Sequence, residues 1–312
     1  MKELGNGFEK SVKELKKVNA ERVFIQFPEG LKLSIQEISE KLEKGGFETV
    51  LCMERTYGGC DLRDEEAKRL KCDAILHIAH QDYGVKSTLP IVYWDYFLQA
   101  NPLPILEKEI AKLNDYRRIG LVTSLQFVKT IPVVAEFLEK QGKKVFVHKN
   151  LQYDGQMLGC KTAAGLAIEK NVDAFLCISA GKFYPIGLAL STKKPLLNLD
   201  LETQSIYSVE PQKKKIEKII AWNRQVLKDA KNVWLLVSWK KGQIQDPFEM
   251  KEKLEKQGKK VFVLAFDELA NDKLEGLKLD ILINFSCPRI GSDDLERTKV
   301  PILNWRDAES KI

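Results

Sequence analysis

The sequence predicts an α/β protein of three homologous four-stranded parallel-sheet domains packed around a pseudo-threefold centre. Two observations carry that expectation. One segment occurs three times, and each copy sits in the same succession of short apolar runs. Glu136-Phe-Leu-Glu-Lys-Gln-Gly-Lys-Lys-Val-Phe-Val147 recurs almost unchanged as Glu252-Lys-Leu-Glu-Lys-Gln-Gly-Lys-Lys-Val-Phe-Val263. A fainter copy is Glu40-Lys-Leu-Glu-Lys-Gly-Gly-Phe-Glu-Thr-Val-Leu51. Repeats spaced this widely are duplicated domains, not the short units of a solenoid.

The elements follow in order. Residues 1–17 alternate charge with single apolar residues (Phe8, Val12, Leu15), which predicts an amphipathic helix and lacks the continuous apolar core of a secretory signal. Arg22–Phe27, Arg118–Thr123 and Trp234–Trp239 read as buried first strands. After each comes a helical pattern that stops at glycine, Gly45, Gly142 or Gly258. The repeated segment then ends in a second strand. Asp73–Ile78, Asp173–Ile178 and Asp280–Phe285 make the third strands, and runs that follow Pro90, Pro195 and Pro301 make the fourth. Strands alternating with helices imply parallel sheets, because parallel neighbours need crossover connections. The expected domains are residues 1–100, 101–206 and 207–312.

Composition narrows the function. The formal charge of +6 comes from 50 basic and 44 acidic residues dispersed along the chain, with Lys beside Glu on helical faces, so no nucleic-acid surface is expected. No apolar run is long enough for a membrane span, and a cytoplasmic protein is expected. Six cysteines are too few for a disulfide framework in a chain of this length and match no zinc-finger spacing.

In open parallel sheets, ligands bind beyond the carboxyl ends of the strands. That rule separates Cys52, Cys72 and Cys177, in or beside strands and expected as small buried hydrophobes, from Cys60, Cys160 and Cys287 in loops at the binding edge. Cys60 and Cys160 are each preceded by glycine and are expected to open a helix, whose N–H groups favour a thiolate. Three converging thiolates can hold three irons of a [4Fe–4S] cluster and leave the fourth open. Zinc is the alternative, with three thiolates and His80 completing a tetrahedral site. His77 and His148 are expected to be packing or surface residues.

Four segments carry a resemblance over the whole chain: Gln26-Phe-Pro-Glu-Gly-Leu31, Glu54-Arg-Thr-Tyr-Gly-Gly-Cys-Asp61, Asp154-Gly-Gln-Met-Leu-Gly-Cys160 and Ser286-Cys-Pro-Arg-Ile290. At these residues the chain resembles the archaeal enzymes of diphthamide biosynthesis, a noncanonical radical S-adenosylmethionine family. The resemblance implies a homodimer that transfers the 3-amino-3-carboxypropyl group of S-adenosylmethionine to a histidine of translation elongation factor two. It implies Cys60, Cys160 and Cys287 as [4Fe–4S] ligands and Cγ–S cleavage of the cofactor. It also implies Gln243, in the loop after the first strand of the third repeat, as a cofactor-binding residue. In the equivalent loops Pro28, Glu29 and Gly30, then Thr123 and Ser124, serve either cofactor contact or turn geometry. The competing readings are a non-catalytic subunit and a redox or zinc-binding protein of the same fold.

Overall fold

The computed structural model describes residues 5–149, 152–292 and 299–309. They form two compact units, Met1–Leu98 with Lys240–Gln243, and Gln99–Trp239 with Ile244–Ile312.

The first unit runs α1 (Gly5–Lys17), β1 (Arg22–Gln26), α2 (Ile35–Lys44), β2 (Glu48–Leu51), α3 (Asp64–Arg69), β3 (Ala74–Ile78) and β4 (Ile91–Trp94). Its strands pair in parallel in the order β2-β1-β3-β4. Period-two alternation sends Val23 and Ile25 to one buried face and Phe24 to the other, so both faces carry a core. Phe8, Val12 and Leu15 seat the expected amphipathic α1 on the first of these faces.

The second unit holds two sheets. The first is built from α4 (Leu103–Glu109), β5 (Arg118–Thr123), α5 (Ile131–Lys140), β6 (Lys144–Val147), α6 (Ala163–Ile168), β7 (Ala174–Ser179), α7 (Phe183–Ser191), β8 (Leu196–Asp200) and β9 (Ser205–Ser208). The other follows α8 (Glu210–Asp229) with β10 (Asn232–Ser238), α9 (Phe248–Lys256), β11 (Lys260–Phe266), β12 (Ile281–Asn284), β13 (Ile302–Asn304) and α10 (Trp305–Glu309). Their orders, β6-β5-β7-β8-β9 and β11-β10-β12-β13, repeat that of the first unit. Helix α8 serves both cores, Ile216 in one and Leu227 in the other.

Two details depart from the sequence pattern. The middle sheet gains β9, antiparallel to β8, because Asp200 Oδ1 accepts the Glu202 N–H at 2.9 Å and reverses the chain within a few residues. The helix stop of the first repeat belongs to Gly46 rather than Gly45. Gly46, Gly142 and Gly258 have φ of 92°, 75° and 82°, whereas Gly45 is right-handed at −80°. Each of the three closes a Schellman motif, with Phe47, Lys143 and Lys259 N–H donating to the carbonyls of the buried residues Leu42, Leu138 and Leu254.

Below the opposite strand ends, one carboxylate recurs. Asp73 accepts the N–H groups of Glu21 and Arg22, Asp173 those of Arg117 and Arg118, and Asp280 those of Lys231 and Asn232. The Arg118 side chain, 2.6 Å away, and these amides hold the Asp173 carboxyl down at about 2, against an ordinary 3.8. A folded value below the unfolded one means that this clasp stabilises the protein above about pH 4 and is lost as pH falls toward 2. Asp173→Asn is therefore expected to weaken stability at neutral pH and to flatten its decline in that acid window. Urea midpoints measured from pH 2 to 7 test this, and an unaltered acid limb would contradict it.

Candidate functional site

In the first unit, Gln26 ends β1 with a fully buried amide that treats the next crossover as if it were a strand. Its Nε2 donates to the Asp61 carbonyl at 2.9 Å and its Oε1 accepts the Arg63 N–H at 3.0 Å. The loop after β2 is thereby fixed beside the end of β1, and Cys60 rides on it. Cys60 lies in a tight turn in which the Asp61 N–H donates to the Gly58 carbonyl at 2.9 Å. Gly59 is required there, because a Cβ would fall 2.1 Å from the Gln81 carbonyl oxygen in the loop after β3.

The second unit repeats this device. Cys160 sits in a turn closed by the Lys161 N–H donating to the Leu158 carbonyl at 3.1 Å. A Cβ on Gly159 would lie 2.8 Å from the Phe183 ring, again in the loop after the third strand. Cys60 and Cys160 therefore lie on turns that precede α3 and α6 and do not open those helices. The helix-terminus argument for their thiolates does not apply.

Cys287 stands three residues past β12 in a different frame. Asn284 Nδ2 donates to the Cys287 carbonyl at 2.8 Å and to Asn304 Oδ1 at 2.7 Å, while Asn304 Nδ2 donates to the Pro288 carbonyl at 3.1 Å. Its loop meets that of Cys160 at one ring, since the Arg289 guanidinium lies 4.4 Å from the centroid of Phe183, the ring packed on Gly159.

A cavity of about 460 Å³ opens here, lined by Cys160, Phe183, Glu217, Arg224, Arg289, Asn304, Arg306 and Asp307 among others. Arg224 Nε donates to the Asp307 carbonyl at 2.7 Å. Burial raises the Asp307 carboxyl above its ordinary range, against the opposing pull of Arg224. Burial likewise pushes the Tyr184 hydroxyl up to about 12, with Cys160 adding to the rise. Three guanidiniums against two carboxylates make this cavity suited to a small ligand that carries a carboxylate.

The other three cysteines are buried: Cys52, Cys72 and Cys177, each with its thiol raised by burial. Cys60, Cys160 and Cys287 are only partly covered. His77 and His80 pack edge to face in the first unit, and burial lowers them to about 3 and about 4. Both ring nitrogens of His77 and Nδ1 of His80 are buried without a hydrogen-bonding partner among the described residues, the Asp61 and Gly58 carbonyls facing His77 out of bonding geometry. Among the described residues no three His, Cys, Asp or Glu side chains stand together as a metal-ion site. Thr123 and Ser124 are buried, with Thr123 Oγ1 donating to the Ile178 carbonyl at 2.7 Å. Pro28 starts a turn, its carbonyl accepting the Leu31 N–H at 2.9 Å.

Gln243 is brought to Cys60, with Nε2 donating to Sγ at 3.4 Å. Its neighbour Lys240 places Nζ 2.6 Å from Asp61 Oδ2 and 5.4 Å from the Tyr57 ring centroid. Burial pushes the Asp61 carboxyl up, and Lys240 counteracts it. Sequence reasoning passed over Lys240, Arg224 and Arg306, which sit in no recognisable motif. Asp61 and Arg289 did lie within the quoted segments, directly beside or close to a cysteine.

Comparison with known proteins gives a consistent result. A family model for putative diphthamide synthesis proteins matches residues 27–311. The 2-(3-amino-3-carboxypropyl)histidine synthase of Pyrococcus horikoshii is 30% identical over 96% of this chain and 87% of that protein. The synthase of Methanocaldococcus jannaschii is 26% identical over 94% of this chain and 86% of its own length. Dph2 from Pyrococcus horikoshii, in a crystal structure with a 4Fe-4S cluster, superposes with a TM-score of 0.87 and 28% identity, covering 97% of this chain and 89% of that one.

The Lys240–Asp61 pair is almost completely enclosed, with side chains 4% and 1% exposed. Removing one partner strands the other charge away from water, so Lys240→Met is expected to cost about 3–5 kcal/mol. Asp61→Asn combined with Lys240→Met should restore much of that loss. Chemical denaturation of the two single variants and the double variant checks it; a purely additive double variant would contradict the coupling.

Proposed function

This chain belongs to the diphthamide synthesis protein family, and on that premise we propose that it is a transferase catalysing the first step of diphthamide biosynthesis. It moves the 3-amino-3-carboxypropyl group of S-adenosylmethionine to a histidine of translation elongation factor two, acting as a homodimer in the cytoplasm. The observation that carries this reading is the end-to-end similarity to 2-(3-amino-3-carboxypropyl)histidine synthases. No helix of the structure is long and apolar enough to cross a membrane.

Cys60, Cys160 and Cys287 are the ligands in this reading, one from each of the repeats 1–100, 101–206 and 207–312. The donor chemistry fits an iron–sulfur centre. All three thiols lie beyond strand ends and are partly open, and Gly59 and Gly159 keep two of their turns narrow. When bound, a [4Fe–4S] cluster supplies the electron for radical Cγ–S cleavage of S-adenosylmethionine. The chain's own residues bind and orient. Arg289 and Arg306 present guanidiniums to the cofactor carboxylate, and Glu217 presents a carboxylate to its ammonium. Gln243 belongs to the cofactor pocket. Holding the amino-acid end fixes which bond to sulfur is aligned for cleavage.

Anaerobic reconstitution is expected to give bound iron and sulfide that fall on Cys60→Ala, Cys160→Ala or Cys287→Ala. Cys52→Ala and Cys177→Ala should leave loading intact and cost packing stability of about 1 kcal/mol. With reductant and S-adenosylmethionine the product should be methylthioadenosine, together with a modified elongation factor. Full loading in all three ligand variants, or 5′-deoxyadenosine as the main nucleoside, would overturn the assignment. Stoichiometric zinc without sulfide would favour the zinc-binding reading.

A further inference from the structure

Residues Lys240–Gln243 form a turn in which the Gln243 N–H donates to the Lys240 carbonyl at 2.8 Å. Every residue of the turn is tied to the Cys60 loop or to α3 beyond it. Lys240 pairs with Asp61 at 2.6 Å, and Lys241 Nζ pairs with Asp64 Oδ1 at 2.7 Å. The Gly242 N–H donates to the Cys60 carbonyl at 2.9 Å, and Gln243 Nε2 reaches Cys60 Sγ at 3.4 Å. Gly242 makes the approach possible, because a Cβ there would stand 2.6 Å from Cys60 Cα.

Packing alone needs only shape. Here four consecutive residues each supply a polar contact, and the last is aimed at the sulfur itself. With Lys240 and Gln243 both more than nine-tenths buried, water cannot substitute for these donors. We infer that Lys240–Gln243 is a positioning strap for the Cys60 thiolate, and that the Gln243 amide raises the reduction potential of the iron–sulfur centre that Cys60 helps to hold. The inference rests on the function proposed above. An N–H donor draws charge from a coordinating sulfur, and the reduced centre, one electron more negative, gains more from the donor than the oxidised one.

The test uses the full chain reconstituted anaerobically, as wild type, Gln243→Leu and Gln243→Glu, with midpoint potentials from redox titration followed by electron paramagnetic resonance. Gln243→Glu keeps the size of the side chain and loses the donor. Reduction should become at least tenfold less favourable in Gln243→Leu, a fall of about 59 mV for a one-electron couple, and still less favourable in Gln243→Glu. Equal midpoints at equal iron loading in all three proteins overturn the inference while leaving the proposed function standing. Wild type without iron overturns both. Where a variant fails to load iron, the metal-free chain decides. Gly242→Val should speed iodoacetamide alkylation of Cys60, read by peptide mass spectrometry, without changing that of Cys160. Unchanged alkylation of Cys60 overturns the strap.

Discussion

In each sheet the first and third strands are joined at their amino ends by one carboxylate, Asp73, Asp173 or Asp280, which accepts the two backbone N–H groups that precede or start the first strand. Those amides lie at the sheet's end, where no strand partner can satisfy them. The carboxylate satisfies them and sets the register of the central pair. Everything at the carboxyl ends inherits that register, since a slip of one residue would turn every side chain of the strand to the opposite face.

With register fixed, the chemistry moves to the crossovers. Cys60 and Cys160 sit on turns of the same design, a glycine before the cysteine and a hydrogen bond closing behind it. In both, glycine lets the turn press against the loop after the third strand, through Gln81 in one unit and Phe183 in the other. Cys287 is held otherwise, by asparagines from two adjacent strands. Duplication accounts for the first two positions, and the third repeat places its thiol on the same edge by a different route.

Burying Lys240 with Asp61 is expensive in desolvation, and an apolar pair of the same volume would serve stability as well. What an ion pair adds is a defined position. Asp61 follows Cys60 directly and is also reached through its carbonyl by Gln26, so the peptide carrying the thiol is gripped from the end of β1 and from the strap. The cavity beside Cys160 shows another balance, in which Arg224 and Asp307 satisfy one another in part and leave Arg289 and Arg306 facing the space.

The sequence by itself determined the strands and their order in three copies, because burial on both faces leaves an apolar run at every repeat and helix stops need a left-handed glycine. It also separated the cysteines by position, Cys52, Cys72 and Cys177 falling on strands or beside them and Cys60, Cys160 and Cys287 beyond strand ends. Local pattern failed where a feature is short or has two equivalent residues: β9 has four residues, and in Gly45-Gly46 only backbone conformation says which one ends the helix. Tertiary structure alone decided that Cys60 and Cys160 lie on turns ahead of their helices, that the cavity collects side chains from Gly159 to Asp307, and that Lys240–Gln243 joins the Cys60 loop. Periodicity records which face of an element is buried. Hydrogen bonds between residues far apart in the chain leave no periodic trace.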